Sequence, residues 1–217
     1  MSKSNKYGYV GVDIPEQSFG SNKGIFDPAE INELVANNKW TQYGQLELIE
    51  TITLTTDTAS VIFDEIQGDV YNVHFITYNN APCDSSGNRL KMRFFENGVE
   101  ETSAVYHYAL QLFGTDTFTG TKTTATNNIH LGTNTETTSN GADNGYIYIY
   151  NAGDNTKYTY STQHTSGLYF NGEHFRGYFG SGALPQTSVV DQIKIFASNG
   201  NIETGASFSL YGIRTYG

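Results

Sequence analysis

Gly205-Ala206-Ser207-Phe208-Ser209-Leu210-Tyr211-Gly212-Ile213 alternates small, apolar and polar residues along its length. Successive side chains of an extended backbone point to opposite faces. Phe208 and Leu210 therefore share one face, and Ser207, Ser209 and Tyr211 the other. Gly205 and Gly212 bracket the run, where the backbone must turn or pack closely. A strand this late in a chain pairs with strands already made. Phe208, Leu210, Tyr211 and Ile213 are thus expected to complete a sheet.

The same period of 2 runs upstream from Gln45. Leu46, Leu48, Ile52 and Leu54 are expected on one face, with Glu47, Ile49, Thr51 and Thr53 opposite. Further extended runs are Ser60–Ile66, Tyr71–Tyr78, Leu90–Phe95, Tyr106–Phe113, Tyr146–Tyr150, Lys157–Tyr160, Leu168–Asn171, His174–Phe179 and Val189–Ala197. Between Gly114 and Gly145 only Ile129-His130-Leu131 reads as strand, so most of that Thr/Asn/Gly-rich tract is expected to be exposed loop. Asn97-Gly98, Asn140-Gly141, Asn144-Gly145, Asn171-Gly172 and Asn199-Gly200 read as turns. Short strands at this spacing predict an all-β, antiparallel β-sandwich, jelly-roll-like, over residues 41–217.

Residues 1–40 read differently. Up to Gly24 there is no sustained period, but Tyr7, Tyr9, Ile14 and Phe19 are sticky, which predicts an N-terminal arm. One short helix follows: Asp27 as N-cap, Pro28 at the first helical position and Glu30 completing a capping box. Ile31, Leu34 and Val35 share its apolar face, and Asn37 and Asn38 end it. Phe26, Ile31, Leu34 and Trp40, with the arm aromatics, are the expected docking residues toward another protein.

Composition narrows the function. The chain has 217 residues, 22 acidic against 12 basic, and a net charge of −10. No run of cations is visible, so neither nucleic acid nor an anionic membrane is an expected partner. Met1–Lys6 lead into Tyr, Gly and Asp rather than an apolar run, so synthesis and assembly are expected in a cytosol. The lone Cys83, in the loop Pro82–Asn88, reads as a spare thiol.

Candidate chemistry is thin. There is no Gly-x-Ser-x-Gly elbow, and Gly180-Ser181-Gly182 reads as a flexible turn. His74, His107, His130, His164 and His174 are never at metal-ligand spacing. The doublets Asp64/Glu65 and Glu100/Glu101 put adjacent carboxylates on opposite faces, which suits turns better than glycoside hydrolysis. The loops Asp84–Asn88 and Asn140–Asn144 lack calcium-loop spacing. No enzyme activity, metal or cofactor is expected. The 16 Tyr offer more, because Tyr146, Tyr148 and Tyr150 alternate with Ile147 and Ile149. Both faces of that strand then prefer burial, one in the core and one as an oligomer interface. A host-glycan platform is the competing use.

Short motifs in a fixed order add a resemblance. Ser207-Phe208-Ser209-Leu210-Tyr211-Gly212-Ile213 resembles the closing strand of β-sandwich domains in tail and other virion structural proteins of tailed bacteriophages. Gly24-Ile25-Phe26 … Leu34 … Trp40 is similar to the segment that precedes such domains. Ala59–Phe63, Tyr71-x-Val73-x-Phe75, Leu90–Phe94, Tyr146–Asn151 and Ile193–Ile195 follow in the same order. One departure is Phe95-Glu96-Asn97-Gly98, where the pattern more often turns at once. The resemblance, over residues 24–217, implies a non-enzymatic virion component, homo-oligomeric with a trimer favoured. It would sit in the tail or adsorption apparatus, or on the capsid as a decoration or head-fibre protein. A glycan-binding or glycan-cleaving module is the alternative from another class.

Overall fold

The computed structural model describes residues 28–36, 46–85, 87–132, 139–169 and 172–213. Residues 1–44 and 45–217 form two separate units. The described part of the first is one helix, α1 (Pro28–Ala36). Ile31 and Leu34 on it are half-buried, whereas Val35 is 52% exposed, so two of the three expected apolar residues are covered. Tyr7, Tyr9, Ile14, Phe19, Phe26, Asp27, Asn37, Asn38 and Trp40 lie outside the described residues. No helix among the described residues is long and apolar enough to cross a membrane.

The second unit is all-β. Its strands are β1 (Leu46–Thr53), β2 (Ser60–Phe63), β3 (Val73–Ala81), β4 (Leu90–Glu96), β5 (Val99–Glu100), β6 (Tyr106–Gly114), β7 (Phe118–Thr126), β8 (Ile129–His130), β9 (Asp143–Tyr150), β10 (Thr159–Leu168), β11 (Phe175–Leu184), β12 (Val190–Ala197) and β13 (Ser207–Ile213). Eight strands form a large sheet in the order β1-β13-β3-β9-β10-β11-β6-β7. A small sheet runs β2-β12-β4-β5, with β8 also paired to β4. All pairings between named strands are antiparallel. From β2 to β13 the chain passes repeatedly between the two sheets, which is jelly-roll wrapping. Here the position of one large-sheet strand is expanded into the meander β9-β10-β11.

The core lies between the sheets. Val61 and Phe63 of β2, Met92 and Phe94 of β4, and Ile193 and Ile195 of β12 face Ile76, Tyr78, Ile147, Ile149, Phe208 and Leu210 of the large sheet. Alternation delivers every one of these residues inward, and each fully buried large apolar side chain is worth roughly 1.5–3 kcal/mol. The closing strand is not an edge. Paired to β1 on one side and β3 on the other, β13 fills a gap between them. Phe208 and Leu210 are fully buried, while Tyr211 and Ile213 look outward. Its two glycines do different jobs: Gly205 turns the chain at φ +89, and Gly212 lets the Tyr71 ring lie flat against the backbone.

Several expectations are corrected. Ile49 is a bulge in β1, so Leu46 and Leu48 are exposed while Glu47 turns inward to accept a hydrogen bond from Tyr71 Oη at 2.6 Å. Among the described residues the tract after Gly114 is not mainly loop, because Phe118–Thr126 pairs along β6. Thr is a good strand former, and this edge needs apolar residues on neither face. Tyr160 and Leu168, expected in two different strands, belong to one, β10, which runs through Ser161–Gly167; Phe170 and Asn171 lie outside the described residues. Gly180-Ser181-Gly182 is no flexible turn but mid-strand in β11, where a Cβ on Gly180 would strike the Ala109 carbonyl. Asn144-Gly145 is likewise inside β9, with Tyr78 Oη against Gly145. Asn97 and Gly98, at φ 52 and 76, do make the tight β4–β5 turn. Cys83 is fully buried in the core rather than held in an open loop.

Candidate interaction surface

The two sheets present different outer faces. On the large sheet, alternation places Tyr146, Tyr148 and Tyr150 of β9 outward while Ile147 and Ile149 enter the core. Register then sets other strands' aromatics beside them. Phe75 lies opposite Tyr148 across the β3–β9 pair, and Tyr211 lies opposite Phe75 across β13–β3. Their ring centroids are 4.7 Å and 6.1 Å apart.

The band continues toward β6. Tyr146 meets the His164 ring edge-on at 5.7 Å, and His164 lies 5.7 Å from Phe113. Phe113 is bordered by Phe179 at 5.8 Å and Phe175 at 5.9 Å. Gly177 makes room for it, since a Cβ there would run into the Phe113 ring. An aromatic band therefore crosses six neighbouring strands, from Tyr211 to Phe113. Tyr146, Phe175 and Phe179 are each more than a third exposed. An open groove of about 660 Å³ lies over its β9–β11 end, bordered by Phe113, Phe118, Tyr146, Thr162, His164 and Phe179.

Charge is as informative as shape. No outward residue of the eight strands is Asp or Glu, although the chain carries 22 of them. The inward turn of Glu47 contributes to this. A wide, exposed, aromatic and carboxylate-free face is the kind of surface that proteins cover with a partner.

The small sheet gathers cations that the sequence keeps apart. Lys91 and Arg93 of β4 and Lys194 of β12 point outward, with Arg89 just before β4. Arg93 and Lys194 both bond to Glu100, each at 2.9 Å, and Arg93 also donates to Asn127 O at 2.7 Å. Arg93 lies 4.8 Å from the Phe196 ring centre. Burial pushes the Glu100 carboxyl up, but hydrogen bonds from Lys194 and Arg93 outweigh it and hold the group below its ordinary value.

The remaining candidates lie apart from one another. Glu101 accepts a hydrogen bond from the Ser103 amide at 2.7 Å. Asp64 and Glu65 lie after β2 and, behind burial, help raise the Glu50 carboxyl. His74 is fully buried and donates from Nε2 to Ile66 O at 2.6 Å. His130 stacks on Tyr108 at 4.8 Å, and burial followed by Arg89 and Lys91 lowers it to about 4. Among the described residues no cluster of His, Cys, Asp or Glu could hold a metal ion.

The sequence reading found Tyr146, Tyr148 and Tyr150 but missed Phe75, Phe113, His164, Phe175 and Phe179 as their neighbours. Each carries the right alternation within its own strand. Only the register between strands reveals the band. No known protein family matches the chain, and no curated protein is significantly similar to it in sequence.

Proposed function

We propose that this protein is a non-enzymatic structural component of a bacteriophage virion, in the tail or adsorption apparatus, and that it works as a homo-oligomer. The observation that carries the self-association is the aromatic, carboxylate-free outer face of the large sheet. A chain of net charge −10 repels its own copies over most of its surface. This face is free of that repulsion and rich in the Tyr and Phe that anchor interfaces. The virion setting rests on the ordered motifs of residues 24–217. In this reading residues 1–40 dock the chain to other virion proteins and the sandwich meets its own copies.

The test has two arms. Sedimentation of the full chain is expected to give an oligomer, three copies being the favoured number, and Tyr148→Lys is expected to dissociate it. A wild-type chain that stays monomeric at tens of micromolar would reject the interface. In phage particles, removal of residues 1–24 is expected to abolish incorporation while leaving a soluble fold. Copy number per particle separates a tail component from a capsid decoration protein of the same fold, since shell proteins number in the hundreds.

One observation favours a second reading. The 660 Å³ groove sets hydroxyls of Thr162 and Ser181 among aromatic rings, a chemistry that suits sugar rings. A glycan array that lights up for wild type and not for Phe179→Ala would move the function to host-glycan binding.

A further inference from the structure

We infer that β7 is a self-pairing edge: two copies join by laying Phe118–Lys122 antiparallel about a two-fold axis through Gly120. This deepens the self-association proposed above by naming a second contact, along the backbone edge that borders the aromatic face. The large sheet ends in β1 and β7, and the two ends differ. β1 is kinked by its bulge at Ile49 and carries Glu47 and Glu50, devices that blunt an edge. The small sheet ends in β2 on one side and in β5 and β8 on the other, of four, two and two residues. β7 has nine residues, pairs regularly with β6 from Phe118 to Thr123, and contains no Pro, Asp or Glu; its one charge, Lys122, blunts an edge unless a partner is set against it. No described residue pairs with its other side. Such an edge is a template for another strand.

The occupant follows from the sequence of the edge itself. Phe118-Thr119-Gly120-Thr121-Lys122 is nearly palindromic about Gly120. A two-fold axis normal to the sheet pairs residues of the same face. Centred on Lys122, it would set lysine against lysine. Centred on Thr121, it would set Lys122 against Gly120. Centred on Gly120, it sets Phe118 of each copy opposite Lys122 of the other, and Thr119 opposite Thr121. Only this register matches the one aromatic residue with the one cation, twice, and adds threonine pairs on the opposite face. Both residues are available. Phe118 is 76% exposed, the most of any large apolar side chain described, and Lys122 has no carboxylate within ion-pair distance among the described residues. Where it crosses at right angles the three-fold axis of the trimer favoured above, this two-fold pairs two trimers into six copies; by itself it joins two.

The experiment is hydrogen exchange on the full chain at low and high concentration, read beside sedimentation, for wild type and three variants. Amides of Phe118–Thr123 are expected to slow as concentration rises. Gly120→Lys, whose Cβ meets nothing closer than 3.8 Å within the protomer, is expected to remove that protection and weaken association about tenfold or more. Phe118→Lys, which sets lysine against lysine, is expected to do the same. The double swap Phe118→Lys with Lys122→Phe restores the pairing and is expected to recover both. Protection of β7 that ignores concentration, or a double swap no better than Phe118→Lys, overturns this pairing. An oligomer whose size is unchanged in Gly120→Lys but which dissociates in Tyr148→Lys overturns it too, while leaving the aromatic-face association standing.

Discussion

Phe75 and Tyr148 sit directly opposite each other on β3 and β9, with ring centroids 4.7 Å apart and planes inclined at 37°. Both belong to the outer face of the large sheet. The pair lies where the aromatic band is densest, with Tyr146, Tyr150 and Tyr211 as further ring neighbours. Rings packed this way bury one another's edges yet leave a broad surface to cover.

Changes on this band should separate association from folding. Phe75→Ser removes an outward ring and no core side chain. We expect association to weaken by tenfold or more, while the protomer loses only about 1 kcal/mol from cross-strand pairing. Sedimentation and a urea titration at a concentration where both proteins are monomeric check the two halves.

Gly212→Ala should strike the closing strand on its inward face. A Cβ there would come within 2.4 Å of the Tyr71 ring, which would have to leave its place over the backbone. Tyr71 Oη would then lose Glu47, which it now bonds at 2.6 Å. Overpacking of this kind costs about 1–3 kcal/mol. The drop is read in thermal unfolding, and a second change, Tyr71→Ala, should lessen the penalty of the first.

Stability should fall on mild acidification. His74 and His130 are both held below the ordinary histidine value by burial; for His130 the charges of Arg89 and Lys91 add to it, giving about 4. Unfolded, both rings take up protons near 6.5. The stability that belongs to the neutral rings is therefore fully present above that pH and is lost as pH falls toward 4. Denaturant midpoints between pH 7.5 and 4.5 should decline, by on the order of 2 kcal/mol, and His130→Gln should flatten the slope.

Glu100→Gln should loosen the small sheet. It removes the carboxylate charge shared by Arg93 and Lys194, with one of its two acceptor oxygens, and leaves those cations, with Lys91 and Arg89, on one face. The expected loss is about 1 kcal/mol at low salt and less at 1 M, where the repulsion is screened. A salt series of urea titrations checks this, and an equal loss at both ends would reject the electrostatic account.

Much of the architecture was legible along the chain. Residues such as Phe208 and Leu210, or Ile147 and Ile149, reveal their face by period alone, because alternation is a local property of extended backbone. The helix start at Pro28 and the Asn97-Gly98 turn were equally readable, since proline's fixed φ and left-handed turns act within a few residues. The misreadings have a common cause. Ser161–Gly167 and Phe118–Thr126 carry too few apolar residues to announce a strand, and become strands because β9, β11 and β6 supply their hydrogen bonds. Gly180 and Gly145 looked like turns, but serve as close contacts beneath Ala109 and Tyr78.

The sequence by itself determined the sandwich, since period 2 with buried aromatics leaves few other ways to hide them. Only the tertiary structure decided which aromatics meet, which edge stays open and where charge collects. Tyr211, Phe75, Tyr148, His164 and Phe113 come from five separate strands, and Lys91 and Lys194 from two. A band or a patch of this kind exists only once register is set, and register is set by the packing of the whole core rather than by any stretch of chain.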